Sequence, residues 1–279
     1  MFTTVTYNLQ NLGLPEASPT SPTQYQKVVD VLREVLEDVP DARGVVVGVQ
    51  EIVAPTLRAA GRVIKALARD TGMCCQALPT VDNQAVPAVA RGRRGNGPAG
   101  LTFFVGLLWA GSMEPIPGTL RAYHDQMWHG LITAQFDVGL PQPLLVGSWH
   151  ANPWCPDARL SEARRVSVPF TAPGLPGVLS SDTNMLAADP ARDGSSYYDP
   201  DPSSYGDLDN PLLDCQVRWS DDGVPEADRR GAHVLLRRHL HDPAAVLDKP
   251  WQATCGHAPD PWGPRRIDTN RITPTLRPA

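Results

Sequence analysis

Residues 44–51 read GVVVGVQE, an apolar run that stops abruptly at an amide and a carboxylate. No polar residue alternates with the valines, so the run predicts a strand covered on both faces. Upstream, residues 24–38 place Val28, Val31, Leu32, Val35 and Leu36 at helical spacing, one apolar stripe suited to packing on a sheet. Pro40 ends that helix. Farther upstream, FTTVTYNL at 2–9 alternates and is rich in β-branched residues, which predicts a strand. The Pro/Ser/Thr-rich stretch 15–23 between them is a loop. Downstream, Pro55 opens a helix over 56–71, with Leu57, Ala60, Val63, Ile64 and Leu67 inward and Gly72 closing it.

The same reading predicts strands at 101–109, 131–138, 143–149, 177–182 and 265–273. It predicts helices at 157–169, with Arg and Glu on the exposed face, and at 227–240. The segment 80–100 is a long loop, and the polar segment 187–210 is a surface loop. No repeat or linker divides the chain, so one domain over 1–279 is expected. Strands and helices mixed in this order suit an α/β, four-layer α-β-β-α sandwich: two packed mixed sheets with helices outside.

The chain has 279 residues, 42% of them hydrophobic, enough for a sizeable core. Its net charge of −5 excludes a chain that is basic overall, as a non-specific duplex binder usually is. One local exception is RGRRGNG at 91–97. Arg91, Arg93 and Arg94 there are either a solvated loop or a substrate-phosphate contact from a mobile loop. The five cysteines suggest no disulfide framework and fit a reducing compartment. The start of the chain lacks a basic-then-apolar leader, and no apolar run approaches the ~20 residues of a membrane helix. A cytoplasmic protein with no membrane segment is expected.

Polar groups recur at the C-terminal ends of the apolar strands: Asn8, Glu51, His150, and the pair Asp182 and Asn184. Any one of them could be a turn former. Several together predict a shared rim where strand ends converge, because a carboxylate just leaving a buried strand is costly to desolvate. Glu51 and Asp182 are hard oxygen ligands suited to Mg²⁺ or Mn²⁺. Asn8 and Asn184 can orient a phosphate or a water without adding charge, and His150 can stabilise a phosphoryl oxygen or protonate a leaving group. Hydrolysis of a phosphate ester by water needs such a set.

Five motifs in order, TVTYNLQNL (4–12), GVQE (48–51), WHANP (149–153), SSDTN (180–184) and RRID (265–268), resemble those of the endonuclease/exonuclease/phosphatase superfamily, which includes the pancreatic deoxyribonuclease. The resemblance implies a divalent-metal phosphoesterase with Glu51 as principal metal ligand and Asn8 beside it. It implies that Asp182 orients or activates the attacking water, Asn184 holds the phosphate, and His150 is the phosphate-side histidine. Asp268 matches the family position that holds a further histidine. A phosphate-ester substrate, possibly nucleic acid, is the implied partner. There are departures. Gly130 follows His129 where the deoxyribonuclease branch places an acid, and Ser181 and Thr183 replace Gly and Phe in the fourth motif. The terminal TPTLRPA lacks the family's Ser-Asp-His. Two readings follow, a truncated enzyme and a catalytically degenerate binding or interaction module, and the intact remaining motifs favour truncation.

Other constellations point elsewhere or nowhere. His239, His241, Cys255 and His257 lack the paired spacing of a zinc site. His257, in CGHAPDPWGP before RRID, is expected near the rim as a substrate contact. His129 reads as a surface or strand-start residue, and Trp109 and Trp149 read as core.

Overall fold

The computed structural model describes residues 2–14, 21–39, 44–79, 84–111, 113–172, 174–256 and 262–277. The valine run lies inside the first of two main sheets. Strand β1 (Thr3–Leu12) leads through helix α1 (Pro22–Glu37) to β2 (Gly44–Ala54), and β1 and β2 pair in parallel. Helix α2 (Leu57–Thr71) follows, then edge strand β3 (Val89–Arg91) and β4 (Thr102–Gly111), which pairs antiparallel with β2. The order is β1-β2-β4-β3. Both helices start at hydroxyl caps: Ser21 accepts from the Gln24 amide and Thr56 from the Ala59 amide. Gly72, at φ 75°, ends α2 as read from the sequence.

The second sheet is built from β5 (Arg121–Ala122), β6 (Leu131–Phe136), β7 (Leu144–His150), β8 (Gly177–Asp182) and β9 (Asp268–Ile272), in the order β9-β8-β7-β6-β5. Here β7 and β8 are parallel and the other pairs antiparallel, so both sheets are mixed as expected. Helices α3 (Pro156–Val166) and α4 (Arg230–Arg237) cover its outer face. Helix α3 stops before the predicted 169, because Pro169 has no N–H to donate to the Arg165 carbonyl and the chain tightens into a 3-10 turn.

Three apolar layers follow from strand alternation. Val45, Val47 and Val49 of β2 pack under α1 and α2 with Leu32, Val63 and Ile64. Val46 faces the other way, into the space between the sheets with Ile132, Phe136 and Val146. Trp109 and Trp149 are core residues, 2% and 0% exposed. Gly48 marks the closest approach of the sheets: a Cβ there would lie 2.4 Å from Cβ of Ser180. No described helix is long and apolar enough to cross a membrane.

The segment read as a surface loop, 187–210, departs from expectation. Asp189 and Asp199 within it are 2% and 0% exposed. Arg271 of β9 donates to Asp189 at 2.6 Å, Arg266 forks onto Asp242, and Arg266 lies 3.7 Å from Asp199. This network ties the loop, the turn before Pro243–Val246 and β9 together. Alternation of polar residues along the loop cannot reveal acids whose arginine partners lie more than forty residues away. Burial works to raise the Asp242 carboxyl, but Arg271 and Arg266 outweigh it and hold it below the ordinary range. A depressed pKa means the stabilising contribution is complete above pH 3.8 and is lost as pH falls below it. Asp242→Asn should therefore cost about 1–3 kcal/mol in urea unfolding at neutral pH, because Arg266 loses the carboxylate it forks onto and is left with Asp199 at 3.7 Å. That deficit should shrink between about pH 4 and pH 2. A deficit independent of pH would show that Asp242 is not held as a carboxylate.

Candidate functional site

Parallel pairing brings the strand ends together. In the first sheet Asn8 of β1 is opposite Gln50 of β2, next to Glu51. In the second, His150 of β7 is opposite Asp182 of β8, and Asp182 is opposite Asp268 of antiparallel β9. Packing of β1 against β8 then sets these two ends side by side. Gln50 locks the packing: its amide donates to the Gly48 carbonyl and to Ser148 of the other sheet, each at 3.1 Å. Ser148 in turn donates to the Val49 carbonyl.

Glu51 reaches the site because the ladder breaks there. The register shifts between Val49 and Ile52, and Glu51 adopts φ 60°. Such a bulge re-aims a side chain, and a left-handed backbone in a non-glycine residue is a local strain. Glu51 Oε1 accepts from Asn8 Nδ2 at 3.0 Å and its Oε2 accepts from the Asn11 amide at 2.9 Å. The same Asn8 Nδ2 donates to Asp182 Oδ2 at 2.9 Å, while Asn8 Oδ1 accepts from the Gln10 amide. Asn8 thus holds the two carboxylates together. Asp182 Oδ1 accepts from the Asn184 amide at 3.1 Å, and Asn184 Nδ2 donates to the Ala151 carbonyl. His150 Nε2 lies 3.4 Å from Asp182 Oδ2.

Glu51, His150 and Asp182 bring one donor atom each to within 4.8 Å of one another. Burial raises the Glu51 carboxyl. Asp182 is raised well above its ordinary value, by burial first and then by the charges of Asp268 and Glu51. Burial pushes Asp268 up to about 6, and its Oδ1 is buried without a hydrogen-bond partner. Three crowded carboxyls with an unsatisfied oxygen are what a divalent cation relieves, so the donor set fits one. A cleft of about 470 Å³ opens on Asn8, Asp182 and Asp268, with Tyr7, Thr254 and Gly256 among its walls. His257 lies outside the described residues.

No protein-family model matches the chain, and no curated protein does. Solved structures do. A humanized TDP2 of D. rerio is 11% identical, with 99% of this chain and 84% of that one covered and a TM-score of 0.53. An endonuclease/exonuclease/phosphatase family protein from Bacteroides thetaiotaomicron is 13% identical, with 97% and 82% covered and a TM-score of 0.51. The chain has the endonuclease/exonuclease/phosphatase fold. A further structure with this fold, from Beutenbergia cavernae DSM 12333, is 16% identical at a TM-score of 0.48; 97% of this chain is covered, spanning 64% of that one.

Within this endonuclease/exonuclease/phosphatase fold, Asn8, Glu51, His150, Asp182, Asn184 and Asp268 gather at one end of the sandwich. The arginines are placed differently. Arg91 grips Asp125 through Nε and Nη2, at 3.1 and 2.5 Å. Arg93 stacks over Trp128 at 5.7 Å, and Arg94 is exposed. Their loop clamps the segment before β6: the Arg93 amide and the Asn96 side chain both donate to the Trp128 carbonyl.

That segment carries His129, read from the sequence as a surface or strand-start residue; it lies just before β6 but is not at the surface. His129 is 2% exposed, with its ring 4.0 Å from His150 and 4.3 Å from Phe103. Burial pulls His129 down to about 3, and burial together with His129 pulls His150 well below its ordinary value, which favours the neutral form of both rings. No described group hydrogen-bonds His150 Nδ1. Helix α3 supplies the support. Glu162, expected on an exposed face, is 7% exposed and accepts from the Trp128 amide at 2.5 Å and the Asn152 amide at 3.0 Å. Its two oxygens therefore fasten the flanks of both histidines. Burial pushes it up to about 7 against the pull of the two amides. Glu162→Ala should cost about 3 kcal/mol, since two buried amides lose their acceptors. Glu162→Gln, which keeps one acceptor, should cost less. Equal urea midpoints for wild type and both variants would show that the amides do not depend on Glu162.

Proposed function

We propose that the protein hydrolyses a phosphate ester, with a divalent cation held at Glu51 and Asp182. One observation carries the reading: Glu51, His150 and Asp182 converge within 4.8 Å beside an open cleft. Mg²⁺ or Mn²⁺, when bound, supplies Lewis-acid polarisation of a phosphoryl oxygen. Glu51, fixed by Asn8 and the Asn11 amide, would hold the cation. Asp182, clasped by Asn8 and the Asn184 amide, is placed to orient the attacking water and take its proton. Neutral His150 offers Nε2–H to a phosphoryl oxygen, where developing charge makes such a donor most effective. Asn184 lies at the same rim, its amide turned to the Ala151 carbonyl, and can turn to the phosphate. The fold and the acidic net charge leave the ester's alcohol portion open, whether nucleotide or smaller.

Calorimetric titration with Mn²⁺ should show saturable binding that is lost in Glu51→Gln. Metal-dependent cleavage of bis(p-nitrophenyl) phosphate or p-nitrophenyl phosphate should fall by on the order of 10²-fold or more in Asp182→Asn. Metal binding without any cleavage would favour a binding module, the reading that the unpartnered Asp268 oxygen supports. A folded protein that binds no metal would end both metal-dependent readings.

A further inference from the structure

At the other edge of the sandwich, a groove of about 1190 Å³ runs between α2 and the segment Leu120–Gln126, and it shares no lining residue with the cleft at Asp182. Its floor is apolar, made by Leu57, Val86, Pro87, Val89 and Leu120. Gly61 lets the helix come close: a Cβ there would meet Pro87 Cγ at 3.1 Å. Four cations line the groove, Arg58, Arg62, Lys65 and Arg121, and among the described residues no carboxylate does. Arg58, Arg62 and Lys65 follow the i, i+4, i+7 spacing of one helix face. All four cations are exposed. Among the described residues none of them has an ion-pair partner. Such a cluster on a chain of net charge −5 is a local reversal of sign.

We infer that this groove binds a free single-chain amphiphile with an anionic head, its alkyl chain on the apolar floor and its phosphate-type or carboxylate head among the four cations. The floor needs an apolar ligand surface, because an apolar trough left wet is unfavourable. The unpaired cations need an anion, and arginine forks suit a phosphate or carboxylate. A nucleic-acid strand fits less well, since among the described residues lining the groove Tyr123 is the one ring besides His124 on which bases could stack. A flat bilayer cannot follow a concave floor set between a helix and a loop, so the ligand is a monomer.

Decylphosphonate, which resists hydrolysis, tests this by calorimetry in EDTA below its micellar concentration. Saturable one-to-one binding is expected. It should weaken at least tenfold in the exposed double variant Arg62→Glu/Lys65→Glu and stay unchanged in Asp182→Asn, which separates this groove from the metal-site proposal. Shortening the chain to octylphosphonate should weaken binding roughly tenfold. Decyl maltoside and methylphosphonate, each carrying half of the recognition, should bind at least tenfold more weakly. The absence of saturable binding would overturn the inference. So would equal affinity in the charge-reversed variant, equal affinity for decyl maltoside, or tighter binding of an octaglutamate peptide or of anionic vesicles.

Discussion

The two sheets are pinned to each other where Gly48 meets Ser180 and Gln50 reaches Ser148. Any side chain at position 48 would push the sheets apart. Because β2 and β8 cross there, the ends of both strands emerge on the same side of the contact. Glu51 leaves one sheet and Asp182 leaves the other, and a single amide, Asn8 Nδ2, spans them. The electrostatics follow from that spacing. Carboxyls brought together out of water are raised towards neutrality unless positive charge joins them.

Much of this was legible in the sequence. The valine run, the two amphipathic helices and the polar residues closing strands at Asn8, Glu51, His150 and Asp182 are local patterns, and local patterns survive in one dimension. Parallel pairing of two such strands then needs no further information to bring their ends together. What stayed hidden depends on distance along the chain. His129 has no periodic signature; it is buried because the 91–97 loop and Phe103 close over it. Glu162 sits in a helix rich in charge, where an inward and an outward carboxylate look alike until the amides of Trp128 and Asn152 are seen to meet it.

The acidic stretch around Asp189 and Asp199 misled for a related reason. Asp, Ser, Pro and Tyr in series resemble a wet loop, yet here the acids are turned inward to Arg266 and Arg271. The RRID motif therefore serves two ends. Its Arg266 anchors the surrounding loops, and two residues later Asp268 faces the cleft. Burial of ion pairs is a weak source of net stability but a strong constraint on arrangement.

Among the described residues eight non-glycine positions have positive φ, and four of them, Gln10, Asn11, Glu51 and Asn184, lie at or beside the rim of the candidate site. Left-handed backbone costs roughly 1–2 kcal/mol per residue. Asparagine enters this region more readily, so Gln10 and Glu51 carry most of that strain, held by the rigid sheets beneath. Glycine at position 51 would relax the backbone while deleting the carboxylate. At this corner the carboxylate and the backbone's own preference pull in opposite directions.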